Sequence, residues 1–205
     1  MNAVLEVTKQ PPTTEVFQNG QVLNARLISV KEYDRMIEHG ILTTEDKVEL
    51  LNGVIIKKMS KGTKHALLND IFADLLKEKL GGKVYVRSQN PIVLDDFSEP
   101  EPDIVLAKPP RETYFEKHPT AQDILLIVEI SDSTLGHDRF AKGLAYAKAG
   151  IQQYLVFNVQ DETIEDYRQP GADGYQSKQT YRSGGAFNLV AFPETEIEVK
   201  NLLPE

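Results

Sequence analysis

Two short apolar runs, each carrying one carboxylate, constrain the fold of this 205-residue chain more than any other feature. Pro102-Asp103-Ile104-Val105-Leu106 opens on Asp103, and Ile124-Leu125-Leu126-Ile127-Val128-Glu129-Ile130 nearly closes on Glu129. Short, β-branched apolar runs of this kind read as buried strands. Antiparallel pairing with Leu106 beside Leu126 sets Asp103 opposite Glu129. Opposed residues share one face, with Cβ atoms about 5 Å apart. Two carboxylates at that separation repel each other unless a proton or a cation lies between them. A hard divalent cation with oxygen ligands is the natural occupant. The bland alternative is a pair of strand-end carboxylates in solvent.

The flanking sequence supplies the rest of a layered domain. Ser29 reads as the N-cap of a helix from Val30 to Glu38, with Gly40 as its stop. Val48–Leu51 and Val54–Ile56 flank Asn52-Gly53, a strong hairpin signal. Lys64 to Leu80 is the clearest helix, with Leu67, Leu68, Ile71, Leu75 and Leu76 as its stripe and Phe72 beside it. Val84–Ser88 and Pro91–Leu94 read as strand. A second helix, His137–Ala149, has an apolar face of Phe140, Leu144 and Ala147, while Asp138, Lys142 and Tyr146 share another face at i, i+4, i+8. Tyr154–Phe157 is a buried-type strand. Thr163–Tyr167 and Tyr175–Tyr181 form a second hairpin, and Leu189–Phe192 and Ile197–Val199 are final strands. The fold class expected is α/β, a mixed sheet with helices on both faces. Residues 1–27 read as a loose N-terminal arm and 28–205 as one domain with its core at about 63–158.

Composition narrows the function. The chain has no Cys, which excludes thiolate nucleophiles and Cys-ligated zinc and fits a reducing cytoplasm. A formal charge of −8 argues against a protein that coats nucleic acid nonspecifically, but not against an enzyme with a local basic rim. No apolar run is long enough to cross a membrane, and the first twenty residues lack the pattern of a secretory signal. The sequence has no Gly-x-Ser-x-Gly elbow, His-Glu-x-x-His pair or phosphate-cradling glycine loop.

The order helix, three strands, helix, strand, with Pro-Asp before the second strand and Glu near the end of the third, resembles the PD-(D/E)XK nuclease superfamily. Within it, Val128-Glu129-Ile130-Ser131, Asp138, Lys142, Tyr146, Gly150-Ile151 and Tyr154 resemble the Uma-type family of restriction-endonuclease-like proteins. Glu49-Leu50-Leu51-Asn52-Gly53 and His65 resemble that family's N-terminal elements. The resemblance implies a restriction-endonuclease-like αβββαβ core, with an N-terminal helix and hairpin and C-terminal strands added. It implies an endonuclease hydrolysing DNA, with Mg²⁺, or Mn²⁺, held by Asp103, Glu129 and the backbone carbonyl of Ile130. The superfamily's usual lysine would stand two residues after the Glu, where this chain has Ser131. The resemblance therefore implies a migrated lysine, Lys142, reaching the site from the following helix.

Each further candidate has an ordinary reading beside the functional one. Glu49 adds a carboxylate to the site or faces solvent beside its hairpin. His65 orients a phosphate or water, or is a surface histidine. Gln89 reads as a polar strand end, Tyr146 as packing, and His118 and His137 as surface groups. Asp138 and Lys142 also have the spacing of a helix ion pair. Lys57, Lys58, Lys61 and Lys64, joined by Arg87 and Arg139, are the candidate basic rim. A homodimer is expected, since a double-strand break needs two centres, with the second hairpin and C-terminal strands as its interface. The competing reading is a catalytically silent module of the same fold that binds nucleic acid or a protein.

Overall fold

A computed structural model describes residues 12–18 and 20–203. Its strands are β1 (Thr13–Gln18), β2 (Gln21–Arg26), β3 (Val48–Leu51), β4 (Val54–Lys57), β5 (Tyr85–Ser88), β6 (Ile104–Ala107), β7 (Ile124–Ser131) and β8 (Gln153–Asn158). They continue with β9 (Thr163–Gly171), β10 (Gly174–Tyr181), β11 (Ala186–Leu189) and β12 (Phe192–Glu198). The helices are α1 (Val30–Glu38), α2 (Thr63–Leu80), and a pair, α3 (Leu135–His137) and α4 (Gly143–Lys148), joined by a π-type turn over Asp138–Lys142. The central sheet has six strands in the order β10-β9-β8-β7-β6-β5. Only β7 and β8 run parallel, because the α3–α4 segment carries the chain across between them.

The β6–β7 register is the one supposed for the two carboxylate-bearing runs. Leu106 pairs with Leu126 and Ile104 with Val128, so Asp103, one residue ahead of β6, lies against Glu129. Side chains alternate between faces along a strand, and that alternation sorts the core. Ile104, Leu106, Val128 and Ile130 pack against Leu68, Phe72 and Leu76 of α2. Val105, Ile127 and Val156 face the opposite way, toward Ala145 and Tyr146 of α4. By the same alternation Asp103 and Glu129 both belong to the α4 face.

Several expectations are corrected. The part of the N-terminal arm that the structure describes is the β1–β2 hairpin, while residues 1–11 lie outside the described residues. Pro91–Leu94 is not a regular strand: the prolines around it leave only an isolated bridge between Val93 and Thr120. On α2 the buried stripe centres on Phe72, and Leu67 is exposed. On the second helix Phe140 is 76% exposed and the Asp138, Lys142, Tyr146 face is the buried one. The π-type turn adds a residue to that coil, which rotates the register, and the carboxylates on the sheet draw Lys142 inward. Leu189–Phe192 is broken at Val190-Ala191, the turn between β11 and β12. Nor does the second hairpin stand apart from the core, since β9 and β10 complete the central sheet and Phe187, Leu189 and Ile197 pack into the α2-side cluster.

The β3–β4 hairpin depends on Gly53. Its φ is +76°, and a Cβ there would come within 2.6 Å of the Leu27 Cβ. Gly53→Ala should cost about 1–3 kcal/mol from backbone strain alone, with the overlap added. A urea midpoint unchanged by this substitution would show that the hairpin does not need the glycine.

Candidate active site

Five elements bring ionisable side chains to one cavity of about 410 Å³. Glu49 comes from β3, His65 from the first turn of α2, Asp103 from the edge of β6, Glu129 from β7 and Lys142 from the π-type turn. All five are less than 8% exposed. Burial of that order demands partners, because an unpaired charge in a low dielectric is very costly.

Asp103 has three donors. The Ile130 N–H donates to its Oδ2 at 2.8 Å, and His65 Nε2 lies 2.9 Å from the same oxygen. Lys61 Nζ lies 2.9 Å from Oδ1. Burial alone would raise the Asp103 pKa, but His65 and Lys61 outweigh it and hold the carboxyl at about 2. His65 is therefore not a surface histidine. It is a buried group on the site's first carboxylate.

Glu129 divides its two oxygens. Oε1 accepts from Lys142 Nζ at 3.0 Å and from the Tyr146 hydroxyl at 2.8 Å. Oε2 receives only the Asp103 N–H, at 3.4 Å. Burial pushes Glu129 up to about 8 against the opposing charge of Lys142, with Asp103, Asp138 and Glu49 adding to the rise. Burial also works against the Lys142 charge, but Glu129, Glu49 and Asp138 together push that ammonium upward. The pair shares its protons as a unit, each charge holding the other. Glu49 completes the ring: its Oε1 is 3.4 Å from Lys142 Nζ, and its Oε2 accepts the Glu101 N–H at 2.9 Å.

Ser131, two residues after Glu129, donates to Asp138 Oδ2 at 2.6 Å, as does Thr134. Asp138 thus forms no ion pair with Lys142 and instead pins the π-type turn that delivers it. Tyr146 is the residue that sequence reasoning undervalued; the i, i+4, i+8 spacing with Asp138 and Lys142 was its signal. Lys61, expected at the rim, touches Asp103 directly.

The rim itself is smaller than expected. Lys57, Lys58 and Lys61 line the cavity, and Lys64 does not. Lys58 is taken up by Glu101 at 2.8 Å. Arg87 is buried and donates to the Pro91 carbonyl, and Arg139 pairs with Glu165, so neither reaches the cavity. His137 lines the mouth. His118 is exposed. Gln89 contributes only its backbone N–H, given to the Asp103 carbonyl at 2.9 Å, and its side chain is exposed.

Among the described residues no three His, Asp or Glu side chains form a ready-made metal shell. The donor set nevertheless fits Mg²⁺. Asp103 Oδ1 is engaged only by Lys61, itself 31% exposed, and Glu129 Oε2 only by a long contact. The Ile130 N–H points toward Asp103, and in an extended strand the carbonyl of the same residue points to the same edge. Two carboxylate oxygens and one carbonyl oxygen suit a small hard cation that keeps several of its waters.

An αβββαβ core with two opposed carboxylates on its central strands defines a restriction-endonuclease-like fold. Residues 30–200 match the family described as "Uma2: Putative restriction endonuclease". The chain belongs to the Uma2 family. Among solved structures it is similar to a "putative nuclease belonging to DUF820" from Anabaena variabilis, at 19% identity and a TM-score of 0.66. That likeness covers 85% of this chain and 97% of the other, and it shows a shared fold. No curated protein matches the chain. Among the described residues no helix is long and apolar enough to cross a membrane.

Proposed function

We propose that this protein is a divalent-metal-dependent endonuclease that hydrolyses DNA phosphodiester bonds in the cytoplasm. The observation that carries the reading is the pair of buried, opposed carboxylates with a buried lysine bonded to one of them. Asp103, Glu129 and the Ile130 carbonyl would hold Mg²⁺ or Mn²⁺. Such an ion supplies Lewis acidity to a phosphoryl oxygen and makes water a better nucleophile. Lys142 is held charged by three carboxylates, so it serves as fixed positive charge beside the developing negative charge, not as a base. Tyr146 and Lys142 together occupy Glu129 Oε1 and leave Oε2 facing Asp103. His65 and the Ile130 N–H fix the Asp103 carboxylate from the Oδ2 side. Lys61 now pairs with Asp103 Oδ1, and a divalent ion held at that oxygen would leave its ammonium available to a phosphate.

We also propose a closed two-fold dimer, because one chain supplies one such centre and duplex cleavage needs two. The outer strand β10 is a sheet edge with unpaired backbone groups open to a second copy.

Incubation of supercoiled plasmid with the protein and Mg²⁺ or Mn²⁺ tests both parts. The expected result is linear product that EDTA prevents. Nicked circles alone would remove the dimer and keep the nuclease. Calorimetric metal binding without any cleavage, on single- or double-stranded DNA, would favour the silent-module reading, for which the replacement of the usual lysine by Ser131 speaks. Absence of metal binding would end the clamp reading altogether.

A further inference from the structure

A second cavity, of about 210 Å³, lies beside the first and shares Glu49, Lys58 and Glu101 with it. Its apolar walls include Tyr33, Leu42 and Pro91, and Glu99 projects into it. Glu99 is only 5% exposed. Its backbone is fixed at both ends, the N–H donating to the Leu50 carbonyl at 2.8 Å and the carbonyl accepting from the Leu50 N–H at 3.4 Å. Its carboxyl group, in contrast, has no hydrogen-bond or ion-pair partner among the described residues. Every other buried carboxylate at the neighbouring centre has at least one donor. The Glu99 oxygens are not sealed off: they open to the cavity and are the acceptors there that the protein itself does not fill.

We propose that this cavity takes an unpaired nucleobase next to the scissile phosphate, and that Glu99 reads it through adjacent N–H donors, the N1–H and N2–H₂ of guanine. The inference rests on the nuclease reading above. The nucleotide beside a phosphate at Asp103 and Glu129 must lie in an adjoining space, and the wall shared by the two cavities provides one. Tyr33, Ile37, Leu42, Val48 and Pro91 supply apolar sides for a planar ring, while Glu49, Lys58 and Glu101 on the shared wall are already bonded to one another or to backbone, so Glu99 is the carboxylate left for a ligand. Enzymes that bind extruded or single-stranded bases read the Watson–Crick edge in this way, since pairing hides it in a duplex. A carboxylate accepts two parallel N–H bonds at once, and guanine alone among the DNA bases offers two adjacent donors on that edge. Thymine and cytosine would leave one oxygen facing an acceptor. Burial, with Asp34 nearby, pushes the Glu99 carboxyl up to about 7, as expected for an acid that still lacks its donors.

The test uses thymidine oligonucleotides carrying one dG, dA, dC or deoxyinosine at successive positions, bound to the full chain in Ca²⁺ to hold off cleavage. Wild type should bind the dG oligonucleotide at least tenfold more tightly than all-thymidine at one position, the gain expected of hydrogen bonds to a charged group. Deoxyinosine, which keeps N1–H and lacks the amine, should fall between the two. Glu99→Gln should bring dG and thymidine to within about twofold. Equal binding of all bases by wild type overturns this inference and leaves the nuclease reading in place. A dG preference that survives in Glu99→Gln, with the variant folded by its melting curve, removes Glu99 as the reader. No binding of any oligonucleotide by wild type overturns this inference, while the nuclease reading is decided separately by the plasmid assay. The deoxyinosine comparison needs no variant, so it stands even if Glu99→Gln fails to fold.

Discussion

Asp103→Asn should lower the rate of metal-dependent hydrolysis by about a thousandfold or more and lower the melting temperature by a few degrees, since the ionised carboxyl that His65 and Lys61 hold at about 2 stabilises the fold at neutral pH. The substitution keeps the size of the side chain and one carbonyl oxygen to accept the Ile130 N–H. It removes the charge that His65 and Lys61 now surround and that a divalent ion would need. Lewis-acid assistance is worth several kcal/mol of transition-state stabilisation, and each 1.36 kcal/mol is a factor of ten. Calorimetric titration with Mn²⁺ should show binding to wild type and none to the variant. Equal Mn²⁺ affinity in the two proteins would mean that Asp103 is no ligand and that the cavity does different chemistry.

The second large effect falls on stability. Lys142→Met should destabilise the protein by about 3–5 kcal/mol, the usual cost of leaving a buried charge without its partner. In a chain of this size that corresponds to a drop in melting temperature of roughly 10 °C. Both Glu129 and Glu49 lose their ammonium, at 3.0 and 3.4 Å respectively. Adding Glu129→Gln to Lys142→Met should recover a good part of the loss, since a neutral amide no longer needs the counter-charge. The single and double variants can be compared by thermal melting at neutral pH. A double variant less stable than Lys142→Met would show that the lysine supports the fold through packing of its stem and not through charge.

The register of β6 against β7 is the one supposed from the two carboxylates; strands buried on both faces carry no alternation to fix it, so it was the placing of Asp103 and Glu129 that singled it out. Helix α1 was plainer: Ser29 caps it, Glu32 returns the bond to the Ser29 N–H, and Gly40, at a φ of +67°, stops it, so both boundaries follow from local chemistry. The side chains that complete the site were harder to place. Lys142 could be assigned to the centre only through the family resemblance, because the polar face of its helix has the look of a solvated one. A π-type turn leaves no mark in apolar spacing, so the inward rotation of that face was hidden. Lys61 sits in a segment without secondary structure, where no periodicity gives direction. The β1–β2 hairpin shows the opposite case. Asn19-Gly20 is the same turn signal as Asn52-Gly53, yet the flanking residues are too polar to announce strands. Glu99 had no signal at all, since only the folded cavity shows that its carboxyl lacks a partner.

The spread of the site along the chain has a consequence for timing. Its groups enter in the order Glu49, His65, Asp103, Glu129, Lys142, each on a different segment. Contacts this far apart in sequence close late, after the loops between them have given up their freedom. A nascent or partly proteolysed chain that ends before Lys142 holds two facing carboxylates with no lysine between Glu49 and Glu129, an arrangement that repels itself open. On the proposed nuclease reading, competence would arrive only with the finished sheet. A host synthesising such a nuclease would then meet either an inert intermediate or the complete molecule.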